Sequence, residues 1–308
     1  MRGFAREVVL FGGPRFNIKP LAGTPNIATT FSRASAKYDY SVNGAFSGFA
    51  ADVKAITDRG LSVEGAGTNG VQYADGKPSL ATSWPSEWST INARGLTQTI
   101  TKGIALNGLP YLRIRLNGTA NTTASILMDI VSSGTAPSAS FGQTWTASMY
   151  LALSAGAFPS GACNMSIAEL DASNGQLFSS STSIKTVTSA MARLSAVRTI
   201  TSVTAAKTTF QLRMSVTSGS SYDFTLDIVY PQLEQAPAAT SPMISTTAGT
   251  ASRSADIYTL FPVPGTYDVT YTFHDNSTQT VTSTITGLGL VVPTTFVQPI
   301  LDITGLGR

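Results

Sequence analysis

The sequence predicts an all-β protein built around a β-sandwich, and three observations lead to this prediction. Apolar residues alternate with polar ones in many segments of strand length, whereas long amphipathic helical patterns are nearly absent. Gly, Pro, Asn and Asp residues with turn-forming chemistry separate these segments. Charged residues make up only 12% of the 308 residues, and Ser, Thr and Gly replace them on the expected solvent faces.

The clearest strand patterns lie in the middle of the chain. Tyr111–Asn117 alternates Leu and Ile with Arg, so one face can enter a core while Arg113 and Arg115 point to solvent. Gln143–Leu153 alternates in the same way, and its pattern predicts that Trp145 is a core residue. Further strands are predicted at residues 163–170, 208–216 and 222–232.

Two short polar loops predict tight turns. His274–Ser277 lies between two strand patterns, and its Asp and Asn residues accept left-handed backbone angles, so this region predicts a β-hairpin. Asp171–Gly175 has the same turn chemistry. It faintly resembles a calcium loop, but it lacks the later bidentate glutamate of such loops, and a plain turn is favoured.

Breaks in these patterns divide the chain. Its first 30 residues contain several Gly and Pro and are too broken to form a core, so they predict an arm that docks on something else. A stretch rich in Ala, Pro, Ser and Thr follows the last central strand. The segment beyond it is too short to fold stably by itself. We therefore predict an arm at 1–30, an extended β connector at 31–75, a sandwich at 76–240, a linker at 241–255 and a small C-terminal β-hairpin domain at 256–308.

The inventory of reactive side chains argues against catalysis. The one histidine, His274, leaves no multi-histidine metal site, and its predicted turn position is typical of an exposed residue rather than a triad base. Acidic residues of the predicted sandwich lie mostly at strand ends or turns, although acid pairs from distant strands stay open. Cys163 is the one cysteine, and no glycine-rich phosphate loop occurs. We expect no enzymatic activity, catalytic residue, metal or cofactor.

Charge and hydropathy bear on partners. The chain has 20 basic and 17 acidic residues, and no basic cluster interleaves with aromatic residues, so we expect no nucleic-acid partner. No apolar run approaches the ~20 residues that span a bilayer, and the N-terminal residues lack the pattern of a signal peptide. We therefore expect no membrane insertion.

Three segments carry a resemblance to a known family. The first is Phe31–Ser35 followed by Arg59–Asn69, the second runs over residues 88–152, and the third is Pro231–Pro242 continuing to Thr250–Asp256. In this order they resemble segments of tailed-bacteriophage virion proteins of the head-fibre, tail-fibre or tail-tip type. Those proteins carry a concanavalin A-like or carbohydrate-binding-module-like jelly roll, which is the fold that the resemblance implies for the sandwich.

The resemblance also implies a function. It suggests a fibre, spike or tail-tip subunit, made in the host cytoplasm and exposed on the virion surface, which docks by its arm and displays a lectin-like sandwich for host attachment. The implied partners are other phage virion proteins, further copies of the chain with a homotrimer favoured, and host surface polysaccharide. Two alternatives stay open: a capsid-decorating or head-fibre protein without a sugar ligand, and, less favoured, a polysaccharide hydrolase.

Aromatic rings are the expected sugar platforms, because a ring face stacks on the apolar patch of a sugar. Trp84 and Trp88 are the main candidates, and Trp88 can alternatively close one end of the core. Tyr73 and Tyr222 are further candidates that can equally line a protein contact. The candidates for virion attachment are the apolar residues of the arm, Phe4, Val8, Val9, Leu10, Phe11, Phe16 and Ile18.

Overall fold

The structure is a computed structural model that describes residues 14–20, 26–40, 46–57, 59–72, 85, 88, 91–104, 110–244, 249–296 and 298–308. Across these residues all regular secondary structure is β-strand, which confirms the predicted all-β class. The strands are β1 (Arg15–Ile18), β2 (Ala28–Ser32), β3 (Lys37–Tyr40), β4 (Phe46–Phe49), β5 (Ala55–Thr57), β6 (Gly60–Ser62), β7 (Gly67–Asn69), β8 (Thr97–Ile104), β9 (Pro110–Thr119), β10 (Ala124–Val131), β11 (Thr144–Gly156), β12 (Cys163–Leu170), β13 (Gln176–Ser183), β14 (Ala192–Thr199), β15 (Lys207–Val216), β16 (Ser221–Glu234), β17 (Ala251–Arg253), β18 (Ile257–Phe261), β19 (Gly265–Phe273), β20 (Thr278–Ile285), β21 (Leu290–Val291) and β22 (Ile300–Gly307). Within the described ranges there is no helix with the length and apolar character needed to cross a membrane.

The chain forms two compact units. The larger unit is the continuous segment 66–254, and the smaller unit combines residues 1–65 with residues 255–308. Residues that the sequence assigns to the arm, to the connector as far as residue 65 and to the C-terminal domain therefore lie in one unit, while residues 66–75 of the predicted connector belong to the larger unit. The reason is that β-sheet hydrogen bonds join strands regardless of their separation along the chain.

The larger unit contains two antiparallel sheets that enclose one core. Their strand orders are β14-β11-β16-β9-β8 and β10-β15-β12-β13. When the eight strands β9 to β16 are lettered B to I, the sheets contain the orders G-D-I-B and C-H-E-F, which is the topology of a jelly roll. Strand β8 extends the first sheet at its edge. The predicted jelly-roll sandwich is thus confirmed by strand order alone.

Alternating side chains of both sheets fill the core of this sandwich. In β15, Phe210, Leu212 and Met214 are fully buried, while the intervening residues point outward. Trp145 in β11 is also buried in this core, as its alternating pattern predicts. In β9, Arg113 and Arg115 point away from the core, which confirms the predicted facing of that strand.

The two predicted turns are confirmed. Strands β19 and β20 pair as a hairpin, and Asn276 between them has a φ of 64°. Strands β12 and β13 form a second hairpin, in which Asn174 has a φ of 67°. The Asp171 carboxylate accepts hydrogen bonds from two backbone N–H groups of its own loop, each at 2.8 Å, as in an Asx-turn.

A buried polar network holds the segment after β16 in place within the larger unit. Asn69 is fully buried, and its Nδ2 donates to the carbonyl oxygens of Pro231 and Met243 at 3.1 and 2.9 Å. Its Oδ1 accepts from the backbone N–H groups of Val71 and Leu233, each at 2.9 Å. The Asn69 side chain therefore supplies hydrogen-bond partners for four backbone groups. Asn69 lies in one of the segments that resemble phage proteins, and its role there is structural.

The smaller unit is a set of sheets that share one core. Its main sheet has the order β20-β19-β22-β6-β5, with β1 paired to β22, and a second sheet has the order β2-β18-β21. The core includes Tyr267, Val269 and Tyr271 of β19. Since β19, β20 and β22 form this hairpin-based sheet, the predicted C-terminal β-hairpin element is present.

The structure corrects two of the candidates for virion attachment. Phe16 and Ile18 are only 3% and 1% exposed, because β1 pairs with β22 and its apolar face packs into the core of the smaller unit. Their side chains therefore cannot reach a separate virion protein while this unit is folded. The remaining candidates, Phe4, Val8, Val9, Leu10 and Phe11, lie outside the described residues.

Candidate functional site

The outer face of the β10-β15-β12-β13 sheet carries an ordered array of polar side chains. The strand registers place Asp129, Gln211, Ser166 and Ser181 in one row across all four strands. Adjacent strands are separated by about 4.8 Å, so neighbouring members of a row can contact the same small ligand. We call the polar sheet face the set Ser125, Asp129, Asn164, Ser166, Ser179, Ser181, Gln211, Arg213 and Ser215.

A shallow cavity lies on this face. Its volume is about 190 Å³, and its lining consists of Ala162 and seven of the nine residues of the polar sheet face. The lining offers serine hydroxyls, one amide and one guanidinium. No aromatic ring belongs to it among the residues that the structure describes.

Three planar side chains of this face have no hydrogen-bond or ion-pair partner within the described part of the chain. They are those of Asn164, Gln211 and Arg213. Arg213 and Asn164 are direct neighbours in the register, and Gln211 is two residues before Arg213 on the same strand face. These groups carry donors and acceptors in fixed planes, which suits recognition of vicinal hydroxyls or carboxylates.

The structure describes two of the four predicted aromatic sugar candidates, and neither forms an open platform. Trp88 is only 2% exposed, and its Nε1 donates to the Gln72 carbonyl oxygen at 2.7 Å, so it closes the core instead of forming an open platform. The Tyr222 ring packs on the same core, and its hydroxyl accepts from the Thr217 N–H at 2.9 Å, so it anchors a turn. Trp84 and Tyr73 lie outside the described residues.

The acidic residues of the sandwich mostly have structural partners. Asp227 receives a two-point hydrogen bond from Arg113, at 2.6 and 2.7 Å, and Asp223 receives one from Arg115. Glu169 is fully buried; burial alone would raise its pKa, but N–H donors from two backbone groups and the Arg198 guanidinium hold the pKa below its ordinary value. Asp227 and Asp223 therefore link β16 to β9, and Glu169 binds the loop that follows β14. Among the described residues no group of His, Cys, Asp and Glu could hold a metal ion.

The one histidine is exposed, as its turn position predicts. It lies beside Asp275, whose Oδ1 accepts from the Ser277 N–H at 2.9 Å and whose Oδ2 accepts from Gln298 Nε2 at 2.8 Å. The hydrogen bonds from Ser277, followed by that from Gln298, lower the pKa of Asp275 from 3.8 to about 2.

We expect NMR titration of the Asp275 carboxyl to give a midpoint near pH 2. Because its folded pKa is lowered, the carboxylate stabilises the hairpin above the ordinary pKa of 3.8, and this contribution is lost as the pH falls through about 2. Gln298→Ala should move the midpoint upward, since it removes one of the donors. A midpoint of about 3.8 in the unchanged protein would contradict the turn geometry.

A second cluster of ionisable groups lies within the smaller unit. Arg33, Lys37 and Asp256 have fully buried side chains, and Glu64 is 16% exposed. Arg33 Nη1 lies 3.0 Å from Asp256 Oδ1, and Lys37 Nζ lies 3.3 Å from Asp256 Oδ2 and 2.8 Å from Glu64 Oε2. We call these four residues the buried charge cluster. Arg33, Glu64 and Asp256 lie in the segments that resemble phage proteins. In this structure those segments therefore contribute to the buried ion pairs of the smaller unit.

The strand order of the larger unit defines a jelly-roll protein, and the polar sheet face lies on one of its two sheets. No protein-family model matches the chain. No curated protein sequence matches it either.

Several solved structures are similar to the chain at low identity. Carbohydrate-binding modules of the β-sandwich superfamily match with a TM-score of 0.35 and 14% identity, over 73% of this chain and 86% of that one. The tripod from the baseplate of bacteriophage Tuc2009 matches with a TM-score of 0.39 and 13% identity, over 80% of this chain and 82% of that one. The arabinose-bound α-L-arabinofuranosidase MgGH51 matches with a TM-score of 0.39 and 9% identity, over 67% of this chain and 31% of the enzyme. At these TM-scores the likenesses carry no inference about function.

Proposed function

We propose that the chain is a non-catalytic virion structural protein of a tailed bacteriophage that binds host surface carbohydrate through the polar sheet face. The phage assignment is supported by the three sequence segments that occur in the family's order. The carbohydrate assignment is supported by one structural observation, the adjacent and uncommitted Arg213, Asn164 and Gln211 side chains on a rigid sheet.

The arrangement of these side chains suits a sugar. A guanidinium can donate two parallel hydrogen bonds to neighbouring hydroxyl oxygens or to a sugar carboxylate, and an amide can donate and accept at once. Because the side chains project from paired strands, little backbone ordering is needed when a ligand binds. Serine hydroxyls around them provide short donors and acceptors for the remaining hydroxyls of the ring.

The absence of an aromatic ring from the described cavity lining has a consequence for affinity. Stacking contributes much of the binding energy at many sugar sites, so a site of polar groups alone should bind each sugar weakly. A homotrimer, which we include in the proposal, would present three such faces and raise the overall avidity without any new contact. The same absence favours the second candidate, a capsid-decorating or head-fibre protein without a sugar ligand.

We propose that the N-terminal arm attaches the chain to the virion. With Phe16 and Ile18 packed in the core of the smaller unit, the candidates for this contact are Phe4, Val8, Val9, Leu10 and Phe11. Locating the chain in a cryo-EM map of the intact virion would identify its neighbours and the number of copies that assemble together.

We expect Arg213→Ala to weaken binding to host surface polysaccharide by about tenfold or more, because a hydrogen bond from a charged group contributes about 1.5–3 kcal/mol. Arg213 makes no bond within the described protein, so folding should be unaffected. The measurement is glycan-array screening followed by titration calorimetry on the full chain.

The matched control for this experiment is Arg115→Ala. Arg115 is also an outward-facing arginine of a strand, but it lies on the other sheet and pairs with Asp223. It should leave glycan affinity unchanged. Equal loss of binding in both variants would argue against the polar sheet face, and binding to no glycan by the unchanged chain would favour the second candidate function.

A further inference from the structure

The buried charge cluster places an amine beside a carboxyl group, with a second carboxylate in contact with the amine. Lys37 Nζ lies 3.3 Å from Asp256 Oδ2 and 2.8 Å from Glu64 Oε2. The side chains of Lys37 and Asp256 are 0% exposed, so bulk water does not surround them. All three residues belong to the smaller unit.

We propose that Lys37 and Asp256 condense to an intramolecular amide, with Glu64 as the group that moves the proton. Glu64 takes a proton from the Lys37 ammonium and passes it to Asp256 Oδ2, so that a neutral amine attacks Cγ of a neutral carboxyl group. The C–N bond forms, Glu64 carries a second proton from the nitrogen to Oδ2, and the C–Oδ2 bond breaks as water departs. The ammonium loses two protons and the carboxylate one oxygen, which leave together as one water molecule, so no oxidant, reductant or co-reactant is needed.

Neighbouring groups favour this step. Arg33 Nη1 donates to Asp256 Oδ1 at 3.0 Å, where negative charge develops when the carbon becomes tetrahedral. The Glu64 backbone N–H donates to Oδ2 at 2.9 Å and fixes the plane of the carboxyl group. Holding the amine against the carboxyl replaces an encounter in solution with an effective concentration that reaches about 10⁵–10⁸ M for well-oriented groups.

The charge balance of the site is preserved by the reaction. Before it, two cations face two anions, and afterwards the Arg33 guanidinium and the Glu64 carboxylate remain as one cation and one anion. The buried site therefore gains no uncompensated charge, which would be costly where the side chains are shielded from bulk water.

The position of the cross-link gives it a structural consequence. Lys37 and Asp256 are 219 residues apart in sequence, and the smaller unit is built from both ends of the chain. A covalent bond between them closes a long loop and restricts the unfolded chain, as a disulfide of the same span would. This cross-link does not depend on a disulfide, because the one cysteine of the chain, Cys163, is buried and unpaired.

Mass spectrometry of the denatured full chain tests the proposal directly. We expect an intact mass lower than the sequence mass by one water molecule, and a proteolytic digest in which the Lys37 peptide is joined to the Asp256 peptide. An intact mass equal to that of the sequence would overturn the proposal and leave the cluster as a permanent ion pair.

Two variants and a control locate the bond. Lys37→Arg retains the cation but lacks the amine, and Glu64→Gln retains the shape of the proton carrier but not its basicity, so both should have the full sequence mass. Lys54→Arg changes a partly buried lysine of the smaller unit, whose ammonium lies over the Tyr258 ring, and should retain the loss of water. A loss of water that persists in Lys37→Arg would place the modification elsewhere and overturn the assignment.

Discussion

Arg33→Met is expected to lower the free energy of unfolding of the smaller unit by about 3–5 kcal/mol, because several oxygen atoms lose their hydrogen bonds from a fully buried, charged donor. The Arg33 guanidinium donates to the carbonyl oxygens of Phe49, Ala50 and Val53 at 3.2, 2.8 and 3.1 Å, as well as to Asp256. Methionine fills a similar volume but donates no hydrogen bond. These three carbonyl oxygens and Asp256 Oδ1 would lose their donor together.

Native-state hydrogen exchange measures this effect within the smaller unit. The amides of β19 and β22, which form the centre of its main sheet, should exchange through an opening of lower free energy in Arg33→Met. Arg115→Met is the control, since Arg115 forms an exposed pair with Asp223 and should leave exchange nearly unchanged. Similar protection of β19 and β22 in Arg33→Met and the unchanged protein would show that the buried charge cluster does not stabilise this unit.

Asn69→Ala is the second substitution with a large expected effect, a destabilisation of the larger unit by about 3 kcal/mol. It removes the side chain that satisfies four backbone groups, at Pro231, Met243, Val71 and Leu233. Each buried group that loses its partner costs free energy, and water can replace only part of these bonds. The loss should fall on the segment that follows β16.

Tryptophan fluorescence during denaturant unfolding measures this change selectively, because all three Trp residues of the chain lie within residues 66–254. The control is Asn164→Ala on the polar sheet face, where the amide makes no bond within the described protein. It should leave the unfolding midpoint nearly unchanged. Equal midpoints for Asn69→Ala and Asn164→Ala would mean that the four bonds of Asn69 contribute nothing net.

The sequence predicted much of the fold because strand patterns and turns are local signals. Alternation in Tyr111–Asn117 identified both the strand and its solvent face, and Asp171–Gly175 identified a turn from side-chain chemistry alone. The sequence predicts the candidate site poorly. It allows Trp88 to be either a sugar platform or a core residue, and only the burial of this side chain and its hydrogen bond to Gln72 decide between these two interpretations.

The polar sheet face was missed for a physical reason. Two strands that are far apart in sequence carry its main side chains, with Asn164 in β12 and both Gln211 and Arg213 in β15. In the sequence, each of these residues has the pattern of an ordinary outward-facing residue of an alternating strand. The available signal was the recurrence of serine and amide side chains at solvent-facing positions of several strands. Without the strand order, that signal could not show which strands are neighbours.

The sequence by itself determined the all-β class, the turns and the facing of single strands, because these depend on residues only a few positions apart. Tertiary structure alone decided that β1 packs in the same unit as the C-terminal strands, that Lys37, Glu64 and Asp256 meet, and that Arg213 lies beside Asn164. These contacts depend on pairing and register between distant strands. Backbone hydrogen bonds allow many such pairings, and the choice among them comes from burial of the whole apolar surface rather than from any local pattern.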